Sequence, residues 1–286
     1  MIEKGYLVYA NNNADCNYVR QAYALALSLR IFNHDAHITL VSKDPIPSEY
    51  LKVFDDVLVP KKTVTTSKLN AEQRQHQFNI SPYLKTMVFD ADVLITENLD
   101  AWWKYLSNQM IYYTSEVYSY KGDKITDNTY RQTFIENNLP LLYNTMNYFE
   151  KSEEAADFFR VQQYVVENWE HFYKKVSPKK QQKWVSMDVS SAITSKLFAN
   201  QEKITAKDTF MKIVHMKPKL QGWRHDYVRS SGAVTMHFSK NNFYVGNFKQ
   251  NGIIHYVEDV FLTDRICLLY TSDAADEGLG VDLGGR

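Results

Sequence analysis

The chain has 286 residues, 44% hydrophobic and 23% charged, which is the range of a globular protein able to bury a large core. Its 33 basic and 33 acidic residues cancel, so there is no general electrostatic case for nucleic acid, and no nucleic-acid partner is expected. Cys16 and Cys267 are the only cysteines, which excludes a disulfide framework or a cysteine zinc site. No apolar run approaches the roughly 18 residues of a transmembrane helix, and the first residues lack the apolar stretch of a leader. A cytoplasmic protein without a transmembrane segment is expected, peripheral membrane contact being left open.

In chain order, "GYLVYANN" (5–12) reads as a β-rich run ending in polar residues. The stretch "NYVRQAYALALSLRIF" (17–32) repeats apolar residues at helical spacing, with Asp15 or Asn17 as its cap. "HITLVSK" (37–43) is a second strand, "PIPSEYLKVF" a short helix and "DVLVP" (56–60) a third strand. This alternation predicts an α/β domain with a mostly parallel sheet flanked by helices. The polar "TTSKLNAEQRQHQFNIS" predicts a loop and helix over the sheet edge. After it come the strand "MVFDADVLI" (87–95), a helix in "ENLDAWWKYL" with Trp102 and Trp103 as packing residues, and a strand in "QMIYYTSEV". "YSYKGDKITDNTYRQTF" reads as an insertion or lid. "LPLLYNTMNYFE" follows as a strand, then "SEEAADFFRVQQYVVENWEHFYKKV" as one long amphipathic helix with a Ser-x-Glu-Glu start. One domain over 1–266 is expected, with a helical and loop-rich C-terminal part.

The tail changes character. "CLLYTSDAADEGLGVDLGGR" (267–286) shifts to Gly, Asp and Ala without period and resembles the translation of a transposon-type sequencing-library adapter. It is expected to lie outside the fold as a disordered scar on a chain of metagenomic origin, with the natural sequence cut near Ile266. The alternative is a disordered acidic tail.

Chemistry is most concentrated in the run 87–95, where Asp90 and Asp92 interrupt an apolar strand. An unpaired buried carboxylate costs several kcal/mol, so the pair needs a cation, donors or solvent at a strand end. Open α/β sheets bind ligands beyond the carboxyl ends of their strands. Two carboxylates there can hold a hard divalent cation that bridges a diphosphate.

"SPYLKTMVFDADVLITENLDAWW" resembles the central signature of GT-A nucleotide-sugar glycosyltransferases, close to the family-eight group of glycogenin-like and bacterial galactosyltransferase-like enzymes. "YLVYANN...YVRQAYALALSLR" resembles that group's nucleotide-pocket strand and helix, "LPLLYNTMNYFEKSEEAADFF" its Asn-Ser-Gly strand and following helix, and "SMDVSSAITSKL" its Asp-containing helix start. The resemblance implies a GT-A, Rossmann-like fold. It further implies a metal-dependent transfer, with Mn2+ or Mg2+, of a sugar from a nucleotide-sugar donor, a UDP-sugar, to a hydroxyl of a glycan, lipid-linked glycan or protein, with retention of configuration. Asp90 and Asp92 match its metal and diphosphate positions. Asp188 matches its substrate-contacting aspartate, and Asn144 stands near its Asn-Ser-Gly, although the string here is Asn-Thr-Met-Asn. The third metal ligand is a histidine: "HMKPKLQGW" offers His215, the preferred candidate, "IIHYVED" offers His255, and His237 comes third. Tyr9 and Asn11 would sit by the nucleotide base, and Lys85 could neutralise phosphate.

Each residue also has a plainer role. The histidines could be hydrogen-bonded packing residues, Asp188 an N-cap, Tyr9 a half-buried strand-end residue, and Lys85 a chain snorkelling from the sheet edge. Asp188 and Glu116 remain available as bases for an inverting route. A haloacid-dehalogenase-like phosphatase also uses Asp-x-Asp after an apolar strand, and Gly122-Asp123 with Asp127 imitates its later loop. In that family the nucleophile opens the domain, whereas α/β pattern precedes Asp90 here. A non-catalytic nucleotide-sugar-binding protein of the same fold is the third class.

Overall fold

In the computed structural model, residues 1–60, 71–126, 131–178, 182–205, 210–216, 235–239, 242–257 and 261–262 are described. The 267–286 tail and Asp127 of the expected lid lie outside them.

The chain opens with β1 (Ile2–Tyr9), α1 (Tyr18–Phe32), β2 (Ile38–Val41), α2 (Ser48–Leu51) and β3 (Asp56–Leu58). Asn17 caps α1 by accepting from the Arg20 amide at 3.0 Å. A 3-10 helix (Ala71–His76) and α3 (Gln77–Ile80) then lead into β4 (Tyr83–Asp90), β5 (Val93–Ile95), α4 (Asp100–Leu106) and β6 (Ile111–Thr114). Next come α5 (Gln132–Glu136), β7 (Tyr143–Glu150), α6 (Glu153–Glu167), α7 (Trp169–Val176), α8 (Met187–Phe198) and α9 (Gln201–Ile204). Short strands follow: β8 (Ile213–His215), β9 (Met236–Ser239), β10 (Asn242–Val245), β11 (Phe248–Lys249) and β12 (Ile253–His255).

Among the described residues the main sheet has six strands in the order β3-β2-β1-β4-β7-β6. β3, β2, β1 and β4 run parallel, and β7 is antiparallel to both β4 and β6. Strand residues alternate between two cores, as the pleat dictates. Tyr6, Val8, Met87, Phe89 and Tyr148 face a core that includes residues of α1 and α4, while Leu7, Tyr9, Val88 and Phe149 face one built with α6, α7 and α8. Both faces are covered, so the central strands read as continuous apolar runs rather than alternating ones. Trp102 and Trp103 are packing residues, 1% and 5% exposed, and Trp103 donates its indole N–H to Tyr6 Oη at 2.7 Å.

The helix expected from Ser152 to Val176 is two. Ser152 caps the first by accepting from the Ala155 amide at 3.2 Å. Asn168 leaves helical geometry (φ −112°, ψ 35°) and turns its side-chain amide back onto the Tyr164 carbonyl at 2.9 Å. Asparagine hydrogen-bonds locally to the backbone, and that competition ends α6 and starts α7.

A small three-stranded sheet, β5-β12-β8, completes the site. β5 begins directly after Asp92 and pairs antiparallel with β12, so His255 lies opposite Val93. Gly252 makes the docking of β12 possible: its φ is +96°, and a Cβ there would meet the Lys212 carbonyl oxygen at 2.5 Å. The Gly252 carbonyl accepts from the Thr96 amide and hydroxyl at 3.0 and 2.9 Å.

Candidate active site

β1 and β4 end side by side, with Tyr9 in register with Asp90, so the aspartates emerge at the carboxyl edge of the parallel strands. They enter a cleft of about 240 Å³ lined by Tyr9, Asn11, Tyr18, Arg74, Asp90, Ala91, Asp92, Asn144, Trp184, Val185, Ser186, Met187 and Asp188. The asparagines after β1 tie the loops beyond the strands together. Asn11 Oδ1 accepts from the Lys43 amide at 3.1 Å, and Asn12 Oδ1 accepts from the Val19 amide at 3.0 Å. Tyr9 places a buried hydroxyl with no partner among the described residues on the cleft wall.

The two aspartates have different neighbours. Asp90 Oδ1 accepts from Arg74 Nη1, and Arg74 Nη2 donates to the Asn144 carbonyl at 2.8 Å and to Asn147 Oδ1 at 3.0 Å. Burial pushes the Asp90 carboxyl up to about 6, against the pull of Arg74 and with a further push from the charge of Asp92. Asp92 is 3.1 Å from His255 Nε2. Burial works against the Asp92 charge as well, but the attraction and hydrogen bond of His255 outweigh it and hold this carboxyl below its usual value.

Asp90, Asp92 and His255 each offer a ligand atom within 4.8 Å of the others. Two carboxylate oxygens and an imidazole nitrogen form a donor set that suits a divalent cation such as manganese. His215, preferred from the sequence, stands on the neighbouring strand: β8 and β12 run parallel with His215 beside His255. The structure thus brings both histidines together but aims His255 at the carboxylates. His237 lies in β9, stacked on Tyr244 with ring centroids 5.5 Å apart, in a separate sheet.

Asp188 and Asn144 meet on the opposite wall. Ser186, not Asp188, caps α8, accepting from the Val189 amide at 3.4 Å. Asp188 accepts from Arg131 Nη1 through one oxygen and from the Asn144 amide (2.9 Å) and side chain (3.2 Å) through the other. Burial opposes its charge, yet Arg131 and these Asn144 bonds hold its carboxyl below the usual range.

Lys85 is not brought to the cleft: it lies five residues before Asp90 on β4, its Nζ 3.2 Å from Glu3. Glu116 pairs with Lys124 at 2.6 Å and lines a different cavity, and Asp123 lies in an exposed turn, so neither joins the aspartate pair. The phosphatase constellation is not assembled among the described residues. Arg74, Arg131 and Trp184 are among the site residues that escaped the sequence reading. Arg74 carries no signal beyond being an arginine in a polar run ahead of the strand. Trp184, 46% exposed on the cleft, is marked only by being an aromatic shortly before Asp188.

No protein-family model and no curated protein matches the chain. Solved structures do. The chain is similar to the galactosyltransferase LgtC in complex with donor and acceptor sugar analogues, at 14% identity and TM-score 0.50 over 95% of each chain. It is similar to mouse xyloside xylosyltransferase 1, at 11% identity and TM-score 0.50, covering 92% of this chain and 100% of that one. The bifunctional glycosyltransferase WbbM matches at 12% identity and TM-score 0.50 over 90% of this chain. The chain spans 46% of the length of WbbM, and 46% of the Streptococcus pneumoniae glycosyltransferase GlyE. The expected architecture is borne out: the chain has the mixed α/β, mostly parallel fold of the GT-A glycosyltransferases.

Proposed function

We propose that the protein transfers a sugar from a nucleotide-diphosphate donor, a UDP-sugar, to a hydroxyl of a glycan, lipid-linked glycan or protein, with retention of configuration. The single observation that carries this reading is the grouping of Asp90, Asp92 and His255 at the carboxyl edge of a GT-A sheet, where the two aspartates line a cleft.

Asp90, Asp92 and His255 would hold manganese or magnesium. Such a cation draws charge off a departing diphosphate, a stabilisation that is often the largest single contribution in reactions of this kind. The remaining tasks fall to the chain. Arg74, buried beside Asp90, adds a fixed positive charge next to the carboxylates and keeps the floor of the cleft from being purely anionic. Tyr9 and Asn11 lie on the β1 wall, where a nucleotide base would rest. Trp184 offers an exposed ring face for a sugar or base. Asn144 and Asp188 face the reacting sugar from the α8 side.

The state of Asp188 bears on stereochemistry. An inverting route needs a base beside the acceptor hydroxyl, and a good base has its pKa near the working pH. Asp188 is held well below that by Arg131 and Asn144 despite its burial, and Glu116 is paired with Lys124 in another cavity. Retention is therefore favoured, with Asp188 positioning the donor.

The test is a panel of nucleotide sugars incubated with and without manganese, the released nucleoside diphosphate being quantified and the anomeric product read by NMR. Manganese-dependent release from one donor supports the reading. Release from none, with nucleotide binding retained, would make this a binding protein of the same fold.

A further inference from the structure

His255 reaches the carboxylates with one ring nitrogen and the protein interior with the other. Its Nε2 is 3.1 Å from Asp92 Oδ2, while its Nδ1 is 2.7 Å from Thr145 Oγ1 and 2.9 Å from Nδ1 of His215. The backbone imposes this meeting. β8 and β12 pair with His215 and His255 in register, and the Met216 amide donates to the His255 carbonyl at 2.9 Å. The rings end with centroids 4.8 Å apart, and His215 is only 5% exposed.

A neutral imidazole offers a lone pair from one nitrogen only when its proton sits on the other. To face a cation with Nε2, His255 must carry its proton on Nδ1, where the proton needs an acceptor. Two nitrogens at hydrogen-bond distance share one proton, so His215 must then present a lone pair at Nδ1 and carry its own proton at Nε2. The Thr145 hydroxyl can donate or accept, so it satisfies either tautomer of His255 and selects neither. His215 differs from a freely rotating hydroxyl in being buried and fixed by strand register, so its lone-pair tautomer supplies an oriented acceptor for the His255 Nδ1 proton. We propose that His215 is a positioning residue: when a divalent cation replaces the hydrogen bond from His255 Nε2 to Asp92, His215 accepts the Nδ1 proton of His255 and keeps Nε2 aimed at the ion. This rests on the reading of Asp90, Asp92 and His255 as a cation site. Partners of this kind orient metal-binding histidines and raise their basicity.

The test titrates manganese alone, without donor, into the full chain and its variants, counting free ion by electron paramagnetic resonance. His215→Leu should bind about tenfold or more weakly, and His215→Asn, whose amide can stand in at Nδ1, should recover to within about threefold of the parent. Nitrogen-15 NMR of the protein loaded with diamagnetic cadmium should show a proton on His255 Nδ1. Parent-like affinity in His215→Leu would overturn the assignment, as would equal losses in the Leu and Asn variants or an unprotonated His255 Nδ1. A parent protein that binds no manganese overturns this inference together with the cation site. Binding that His255→Ala abolishes but His215→Leu does not disturb overturns this inference alone.

Discussion

Asp90 and Asp92 leave the same strand end one residue apart, and the chain surrounds them with different chemistry. On the Asp90 side the partner is Arg74, a permanent cation carried on the 3-10 helix and tied to β7 through Asn144 and Asn147. On the Asp92 side it is His255, carried on a short strand from the far end of the chain and backed by His215. An arginine stays charged throughout the working range, whereas a histidine can become a metal ligand. Arg74 is thus fixed in charge, and the Asp92 side is the one that can change partners when a cation arrives.

The largest expected effect comes from stripping the fixed side. Arg74→Met should leave the partly buried Asp90 without its counter-charge and the Asn144 carbonyl and Asn147 Oδ1 without their donor, lowering the unfolding free energy in urea by about 3 kcal/mol. Adding Asp90→Asn should recover much of that loss, and a double variant no more stable than Arg74→Met would show that the pair is not coupled. A smaller loss belongs to the other side. Gly252→Ala forces a side chain into a left-handed position against the Lys212 carbonyl and should cost about 2 kcal/mol. It should also weaken manganese binding by loosening β12, whereas parent-like thermal unfolding and affinity would mean that β12 does not set the position of His255.

The pH dependence separates the carboxylates further. Asp90, raised to about 6, must lose its proton to hold a cation, so manganese affinity should fall as the pH drops below about 6, the proton that His255 gives up adding to the fall. Asp92, held low by His255 against its burial, contributes no step in that window. A titration flat down to pH 5 would remove Asp90 from the cation site. The smallest effect is expected at Trp184, which touches neither pair. Trp184→Ala should leave stability unchanged and raise the donor or acceptor KM by roughly fivefold, the loss of about 1 kcal/mol of stacking. An unchanged KM for both substrates would place the ring outside the binding path.

Much of this architecture was legible. The α/β alternation, the cap at Asn17 and the Asp90–Asp92 pair all follow from local pattern, because apolar runs and caps are local physics. What escaped depends on distant chain. Arg74 sits in a polar run that has no apolar period to reveal its burial, and its importance comes from reaching across to β4 and β7. The histidine pair could not be ordered from the sequence. The string around His215 favoured that residue, yet the register of β12 against both β5 and β8 decides which ring meets Asp92. The break at Asn168 was visible only as an asparagine in an otherwise continuous helical pattern.

The cation site is tested most directly by calorimetric binding of UDP-sugars in the presence and absence of manganese, comparing the parent chain with Asp92→Asn. Donor binding should strengthen at least tenfold with manganese in the parent and gain nothing from it in the variant, where the carboxylate that meets His255 is gone. Equal binding with and without the ion in both proteins would contradict a cation held between Asp90, Asp92 and His255.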